Sequence, residues 1–270
     1  MIDLRLNNST IKVAENWNEL TKKQILSIVE LLFGNNLKLT KQQWKYALLY
    51  KVLLKNELLN LKFIWLFTRL PKVDIISSLF PLVNWLEAGN TLTDFKLKSF
   101  RVGFTRFYAP KDGLINLTID EFQFTDGFYI DYKKNKNIDY LDGLIAVLYR
   151  RKQAGYNPIS PSYNGDIREV FNENTIVTNS KKASKLSLAK KHLILLAYEG
   201  SRNEIIENCP NLFSSKETQQ KGKSFGYGGL ILELSGDKFG NHLETKKTNL
   251  ITAFNFLEME AIKHAKNKDK

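Results

Sequence analysis

Three segments of the chain spell the same helix start: Leu20-Thr21-Lys22-Lys23-Gln24-Ile25, Leu39-Thr40-Lys41-Gln42-Gln43-Trp44 and Leu117-Thr118-Ile119-Asp120-Glu121-Phe122. In each, the threonine hydroxyl can accept from the backbone N–H three residues on. The Gln or Glu can reach back to the threonine's own N–H, and the flanking apolar pair can close as a hydrophobic staple. A chain with three such starts is built around nucleated helices. Their threonines stand at positions 21, 40 and 118, with no fixed period, so they are independent uses of one device and not copies of a repeating unit. The signature constrains architecture and carries no chemistry.

The intervening pattern fits a mainly α fold with a minor β component, a helical bundle with an N-terminal hairpin and a short central β segment. Residues 2–6 and 10–14 alternate around Asn7, Asn8 and Ser9, as a hairpin with an Asx-type turn would. A first helix begins after Thr21, with Ile25, Ile28, Val29 and Leu32 at core spacing and Gly34 placed for a left-handed cap. A second runs from Thr40 to about Leu54. Residues 58–86 are apolar but interrupted by Pro71 and Pro81, which predicts short helices carrying Trp65, Phe67, Phe80 and Trp85. This aromatic stripe reads as core, with a ligand groove as the alternative. Residues 95–108 alternate Phe95, Leu97, Phe100, Val102 and Phe104 against Lys96, Lys98, Arg101 and Arg106. That is a half-buried sheet with a solvated basic side, or else an aromatic and basic face for nucleic acid or a partner.

A helix from Thr118 to about Tyr132, a polar loop over 133–137 and an apolar helix over 141–150 predict an antiparallel pair. From Arg151 to Ser184 the sequence turns polar, with Gly155, Pro158, Pro161 and Gly165, and predicts a long surface loop with a short helix at 166–171. Helices over 186–200 and 201–208, a charged linker over 214–223, a glycine-opened segment at 226–234 and an amphipathic helix over 245–265 complete the reading. The expected organisation is a helical domain over 1–150, a surface loop over 151–183 and a C-terminal helical region over 184–270.

The 270 residues carry a net charge of +12, which permits contact with nucleic acid, an anionic membrane surface or an acidic protein. Only Arg5, Arg69, Arg101, Arg106, Arg150, Arg151, Arg168 and Arg202 are arginine, however, and bidentate phosphate recognition favours that residue. Long apolar runs, such as 63–67 and 193–197, are far short of the roughly 20 residues a membrane span needs. The N-terminus opens with Asp3 and Arg5 inside an alternating, strand-like stretch and lacks the basic start and apolar centre of a secretory signal, so a cytoplasmic location is expected. Cys209 is the only cysteine and is read as structural. His192, His242 and His264 show no ligand spacing, no nucleophile elbow or phosphate loop occurs, and Asp120, Glu121 and Asp126 are accounted for by helix capping and dipole. Catalytic, metal and cofactor-binding residues are therefore all assigned as none.

The order of Trp17-Asn18-Glu19-Leu20-Thr21 with Gln24, then Leu117-Thr118 with Glu121-Phe122, then Leu141 with Leu144-Ile145-Ala146-Val147-Leu148-Tyr149-Arg150, then Glu199-Gly200 resembles uncharacterised phage and prophage proteins of the Bacteroidetes group. Those proteins tend to lie among virion-assembly genes, often of the tail region. The resemblance implies a non-enzymatic assembly or structural protein, a tail-assembly chaperone or a virion component, contacting other phage proteins in the bacterial host cytoplasm. The alternative is a nucleic-acid-binding accessory protein using the basic surface. For partner contact the sequence nominates Arg150, Arg151, Lys181 and Lys182, at the two ends of the polar stretch, as groups meeting acidic side chains.

Overall fold

The structure, a computed structural model, describes residues 1–6, 9–34, 39–53, 68–160, 165–214, 234–236 and 239–268. Its architecture is mainly helical, with two antiparallel two-stranded sheets among the described residues. The chain forms two compact units, Met1–Leu97 with Leu188–Gly200 and Lys98–Ser187 with Ser201–Lys270. Their limits fall at 97, 187 and 200, where the sequence pattern suggests 150 and 183.

In the first unit, β1 (Ile2–Leu6) and β2 (Ser9–Val13) form the expected hairpin, with Ile2 opposite Val13 and Leu6 opposite Ser9. Positions 7 and 8 of the expected turn lie outside the described residues. A 3-10 turn at Trp17–Glu19 buries the Trp17 indole, which donates to the Gly89 carbonyl (2.8 Å) and meets the Trp85 ring edge-on at 6.0 Å. The helix Lys22–Phe33 has both bonds of its capping box, Gln24 N–H to Thr21 Oγ1 (3.3 Å) and Thr21 N–H to Gln24 Oε1 (2.8 Å). Gln24 is also buried, and its amide donates to the Val52 carbonyl, so the capping residue ties this helix to the next, Lys41–Leu53. That second helix starts on the same pair of bonds between Thr40 and Gln43, at 2.9 and 3.3 Å. Gly34 is extended (φ −73°, ψ 131°), so the first helix ends without the expected left-handed cap.

Pro71 and Pro81 fragment the neighbouring chain into helical turns at Lys72–Asp74, Ile75–Leu79 and Phe80–Leu86, burying Ile75, Leu79, Phe80 and Val83. This places Phe80 in the core, while Trp65 and Phe67 lie outside the described residues. One departure from expectation concerns Gly200. The sequence suggests a helix ending there and a second beginning, but Leu188–Asn208 is one uninterrupted helix. A Cβ at Gly200 would stand 2.2 Å from the Leu92 carbonyl oxygen, so glycine is needed for backbone contact within the first unit and not for a helix end.

In the second unit, β3 (Ser99–Val102) and β4 (Thr105–Tyr108) pair with Val102 opposite Thr105. The helices Ile119–Asn135 and Ile138–Leu148 form the predicted antiparallel pair. The expected loop over 133–137 shrinks to its last two residues, because the helix continues to Asn135. Lys136 then takes a left-handed conformation (φ 56°), and Asn137 caps the next helix by accepting from the Asp139 N–H.

The C-terminal helix is shorter at its start than expected, running Leu250–Lys268 behind a separate helix His242–Lys247. The break between them is where the chain passes alongside residues 117–119: Ile119 N–H donates to the Thr248 carbonyl (3.0 Å) and Leu250 N–H to the Leu117 carbonyl (2.8 Å). Asn241 and Glu244 supply an additional capping box that the threonine-based pattern does not flag. Phe122 and Phe254 meet edge to face at 5.6 Å in the core. The linker over 214–223 and the glycine-opened segment at 226–234 lie almost wholly outside the described residues.

Replacing Thr21 or Thr40 by Ala should each cost about 1 kcal/mol in urea denaturation. Gly200→Ala should cost more, about 2 kcal/mol or above, because its neighbour is backbone and cannot rotate away. A neutral Gly200→Ala would contradict the close approach.

Candidate functional site

The third threonine start behaves differently from the first two. Thr118 Oγ1 accepts from the Glu121 N–H (3.2 Å), but the Glu121 carboxylate turns away from the cap and into the interior. There it meets two arginines: Arg150 Nη2 at 2.8 Å on one oxygen and Arg168 Nη2 at 3.3 Å on the other. Asp166 closes the group, 2.7 Å from Arg168 Nη2 and 3.7 Å from Arg150 Nη2. All four residues are buried, and Arg168 is 2% exposed. Two carboxylates face two guanidinium groups, so the cluster is neutral as a whole, the condition under which buried charge is tolerated.

Backbone groups complete the coordination. Arg168 Nε donates to Asp166, Nη1 to the Leu148 carbonyl (2.8 Å), and its own N–H to Asp166 Oδ1 (2.9 Å). Arg150 Nη1 donates to the Val147 carbonyl (3.3 Å), and its guanidinium lies 5.8 Å from the Phe171 ring centre. The Arg150 Nε has no hydrogen-bond partner among the described residues. Burial pulls the Arg150 guanidinium below its ordinary value, with the nearby Glu121 working in the opposite direction.

The cluster accounts for the path of the polar stretch after residue 150. Arg150 pairs with Tyr108, adding an extended segment beside β4, and Lys152 pairs in turn with Arg168. Gln153 N–H donates to the Ile167 carbonyl (2.9 Å) and Glu169 N–H to the Arg151 carbonyl (2.8 Å). The expected helix at 166–171 is therefore absent. In extended backbone, successive side chains alternate, and that alternation points Asp166 and Arg168 together into the cluster. Helical structure resumes instead at Glu173–Thr175 and Ile176–Ala183. Of the expected surface loop, residues 150–153 and 166–169 are held by backbone bonds and a buried arginine, while the described residues 154–160 are turns, mostly exposed.

The four nominated partner residues divide accordingly. Arg150 is buried and committed to Glu121, which removes it from any surface. Arg151 and Lys181 are exposed, and Lys182 is half-buried with its ammonium 5.5 Å from the Phe107 ring centre. No contact joins Arg151 and Lys181 into one patch among the described residues. The carboxylates assigned to capping and dipole also need revision. Asp126 is fully buried and receives Arg202 through both Nε and Nη2, with Arg202 also over the Tyr129 ring at 5.3 Å. Asp120 faces Lys246 at 3.4 Å, and burial raises its carboxyl above the usual range.

Among the histidines, His192 is buried in the first unit and stacks on Phe33, ring centres 3.9 Å apart. Burial and then the Lys191 charge push its imidazole down to about 4. Among the described residues no three His, Cys, Asp or Glu side chains gather as metal ligands. Cys209 is buried at a helix end, and desolvation raises its thiol, as an inert structural cysteine requires. No described helix is long and apolar enough to cross a membrane.

The outward side of the β3–β4 hairpin is of another kind. Phe100 and Phe107 stack inward at 5.2 Å, so the half-buried sheet with a basic outer side is the arrangement observed. Arg101 and Arg106 stand directly opposite each other on the exposed side. Gly103 (φ 57°) opens the two-residue connection and Phe104 completes it, fully exposed at the tip. Compared with known proteins, the chain matches no family model, no curated protein and no solved structure.

The buried groups set the expected mutational pattern. Glu121→Gln and Arg168→Met should each lower stability by about 3–5 kcal/mol, because each leaves an uncompensated buried charge. Arg151→Ala and Lys181→Ala should stay within about 0.5 kcal/mol of the parent protein. Native-state hydrogen exchange should find the Gln153 and Glu169 amides protected, and protection lost first at these sites in Arg168→Met. For His192, the folded pKa lies below the unfolded value near 6.5. Its contribution is thus whole above pH 6.5 and is lost as pH falls towards 4, up to about 3 kcal/mol. His192→Gln should flatten that part of the stability profile.

Proposed function

We propose that the protein is a non-enzymatic bacteriophage assembly or structural protein, a tail-assembly chaperone or virion component acting through contacts with other phage proteins. The sequence resemblance supplies the phage context. The observation that supports a role in contact over one in catalysis is the state of Glu121, Arg150, Asp166 and Arg168. The densest charge cluster among the described residues is buried, charge-balanced and committed to holding its own backbone. A general acid or base needs an oxygen that a substrate can reach, and both Glu121 oxygens already face guanidinium groups. The second reading, a nucleic-acid-binding accessory protein, is favoured by one feature, the paired arginines and exposed phenylalanine of the hairpin.

Deleting the gene from its phage or inducible prophage and examining lysates by electron microscopy tests the first reading. The expected outcome is particles arrested at one assembly stage, with heads and tails unjoined or tails missing, and rescue by the gene supplied in trans. Normal yields of complete infectious particles would overturn it.

A further inference from the structure

We infer that the outward side of the β3–β4 hairpin is a binding site for single-stranded nucleic acid, in which Arg101 and Arg106 hold the phosphate backbone and Phe104 stacks on a base. The inference deepens the nucleic-acid reading above, on which it rests, and does not depend on the assembly role. Its first support is electrostatic. Directly opposed like charges destabilise a strand pair, yet Arg101 and Arg106 are cross-strand partners, both exposed, and neither has an ion-pair partner among the described residues. Elsewhere in this unit Arg150, Arg168 and Arg202 pair with carboxylates, while the exposed Arg151 has no ion pair among the described residues either. The hairpin pair is left to an anion from outside, and two adjacent guanidinium forks suit phosphate oxygens.

The second support is the aromatic order along the ribbon. Tyr108, half-buried, and the arginine pair share the outward side, and Phe104 stands beyond them at the tip with no part of its ring covered. Positions two residues apart on a strand are about 7 Å apart, comparable to the reach of one extended nucleotide. That interval separates Tyr108 from Arg106, so an aromatic, a cationic pair and an aromatic tip follow one another as base and phosphate do along a single strand. Duplex DNA offers no free base face to Phe104. The hairpin below the ring is anchored by the inward Phe100 and Phe107, and Phe100 also packs on Tyr149 at 5.3 Å.

The test is fluorescence anisotropy of the full chain with a labelled poly-dT of about 30 nucleotides, long enough to span several stacked bases, titrated from low to moderate NaCl. A duplex of the same length and vesicles containing anionic phosphatidylglycerol are run beside it. Phe104→Ala should weaken poly-dT binding about tenfold at every salt concentration and leave the salt slope unchanged, as removal of one stacked base does. The double variant R101S/R106S should reduce the slope of log affinity against log salt by about 1.4, which is about 0.7 for each phosphate no longer neutralised. A control pair of exposed lysines, K134S/K266S, should leave affinity within about twofold. Circular dichroism confirms that each variant folds. Four results would overturn the inference: no poly-dT binding at low salt, Phe104→Ala indistinguishable from the parent, the lysine control as damaging as the arginine pair, or equal affinity for duplex. Vesicle binding that depends on Phe104 without poly-dT binding would also overturn it, assigning the hairpin to a membrane surface instead. Either result at the hairpin leaves the particle-assembly experiment standing on its own.

Discussion

The Arg168 guanidinium is the joint on which the second unit closes. It donates to Asp166 on its own extended segment, to Glu121 on the Ile119–Asn135 helix, and to the Leu148 carbonyl at the end of the next helix. One planar group therefore holds three pieces of chain at fixed angles to each other. The free carbonyl is part of the arrangement, because the last carbonyls of a helix lack intrahelical donors. Removing water from four charged groups is costly, and the cluster tolerates it only because the signs balance and most donors are used. The orphaned Arg150 Nε marks a place where that balance is incomplete.

The two fully buried cations of the second unit's ion pairs, Arg150 and Arg168, are arginines, whereas the exposed pairs Lys98 with Asp112 and Lys263 with Glu260 use lysine and the half-buried positions use both, Arg202 and Lys246. A delocalised guanidinium is less strongly hydrated than an ammonium and satisfies several acceptors at once, so it is the less costly cation to desolvate. Salt should consequently separate the two roles. Buried pairs are little screened, and the scaffold keeps its strength at ionic strengths that weaken any phosphate contact at the exposed hairpin.

Much of the framework is legible in the sequence because it is written locally. Threonine three residues ahead of Gln or Glu locates three helix starts, alternation locates both hairpins, and apolar content locates the helix pair. The features that escape depend on groups far apart in sequence. Glu121 sits where a capping-box carboxylate belongs, and nothing near it says that its side chain turns inward to residues 150 and 168. Asp166-Ile167-Arg168 does carry a signal, since charges at i and i+2 share one side of an extended strand. The reading of 166–171 as a short helix passes over it. Gly200 looks like a terminator because a glycine beside a helix usually is one. Only the position of Leu92 shows it to be a contact. Exposure at Phe104 is likewise invisible, because period two alone places that ring on the same side as Val102 and gives no sign of the turn's extra reach.

The division of the chain into units has a consequence for its biosynthesis. The first unit is made from residues 1–97 and 188–200, so its last segment is translated long after the rest. Until then the Leu92 carbonyl face that receives Gly200 stands open, and the Asn90 side chain, which donates to the Leu196 carbonyl, has no acceptor there. Closing a gap of that length is a modest entropic burden at equilibrium but a kinetic one during synthesis, when the incomplete unit exposes apolar surface to other nascent chains. The intervening residues can meanwhile assemble the hairpin, the helix pair and the arginine cluster, all of which lie between 98 and 187. The middle of the chain can therefore complete this local structure while the first unit still waits for residues 188–200.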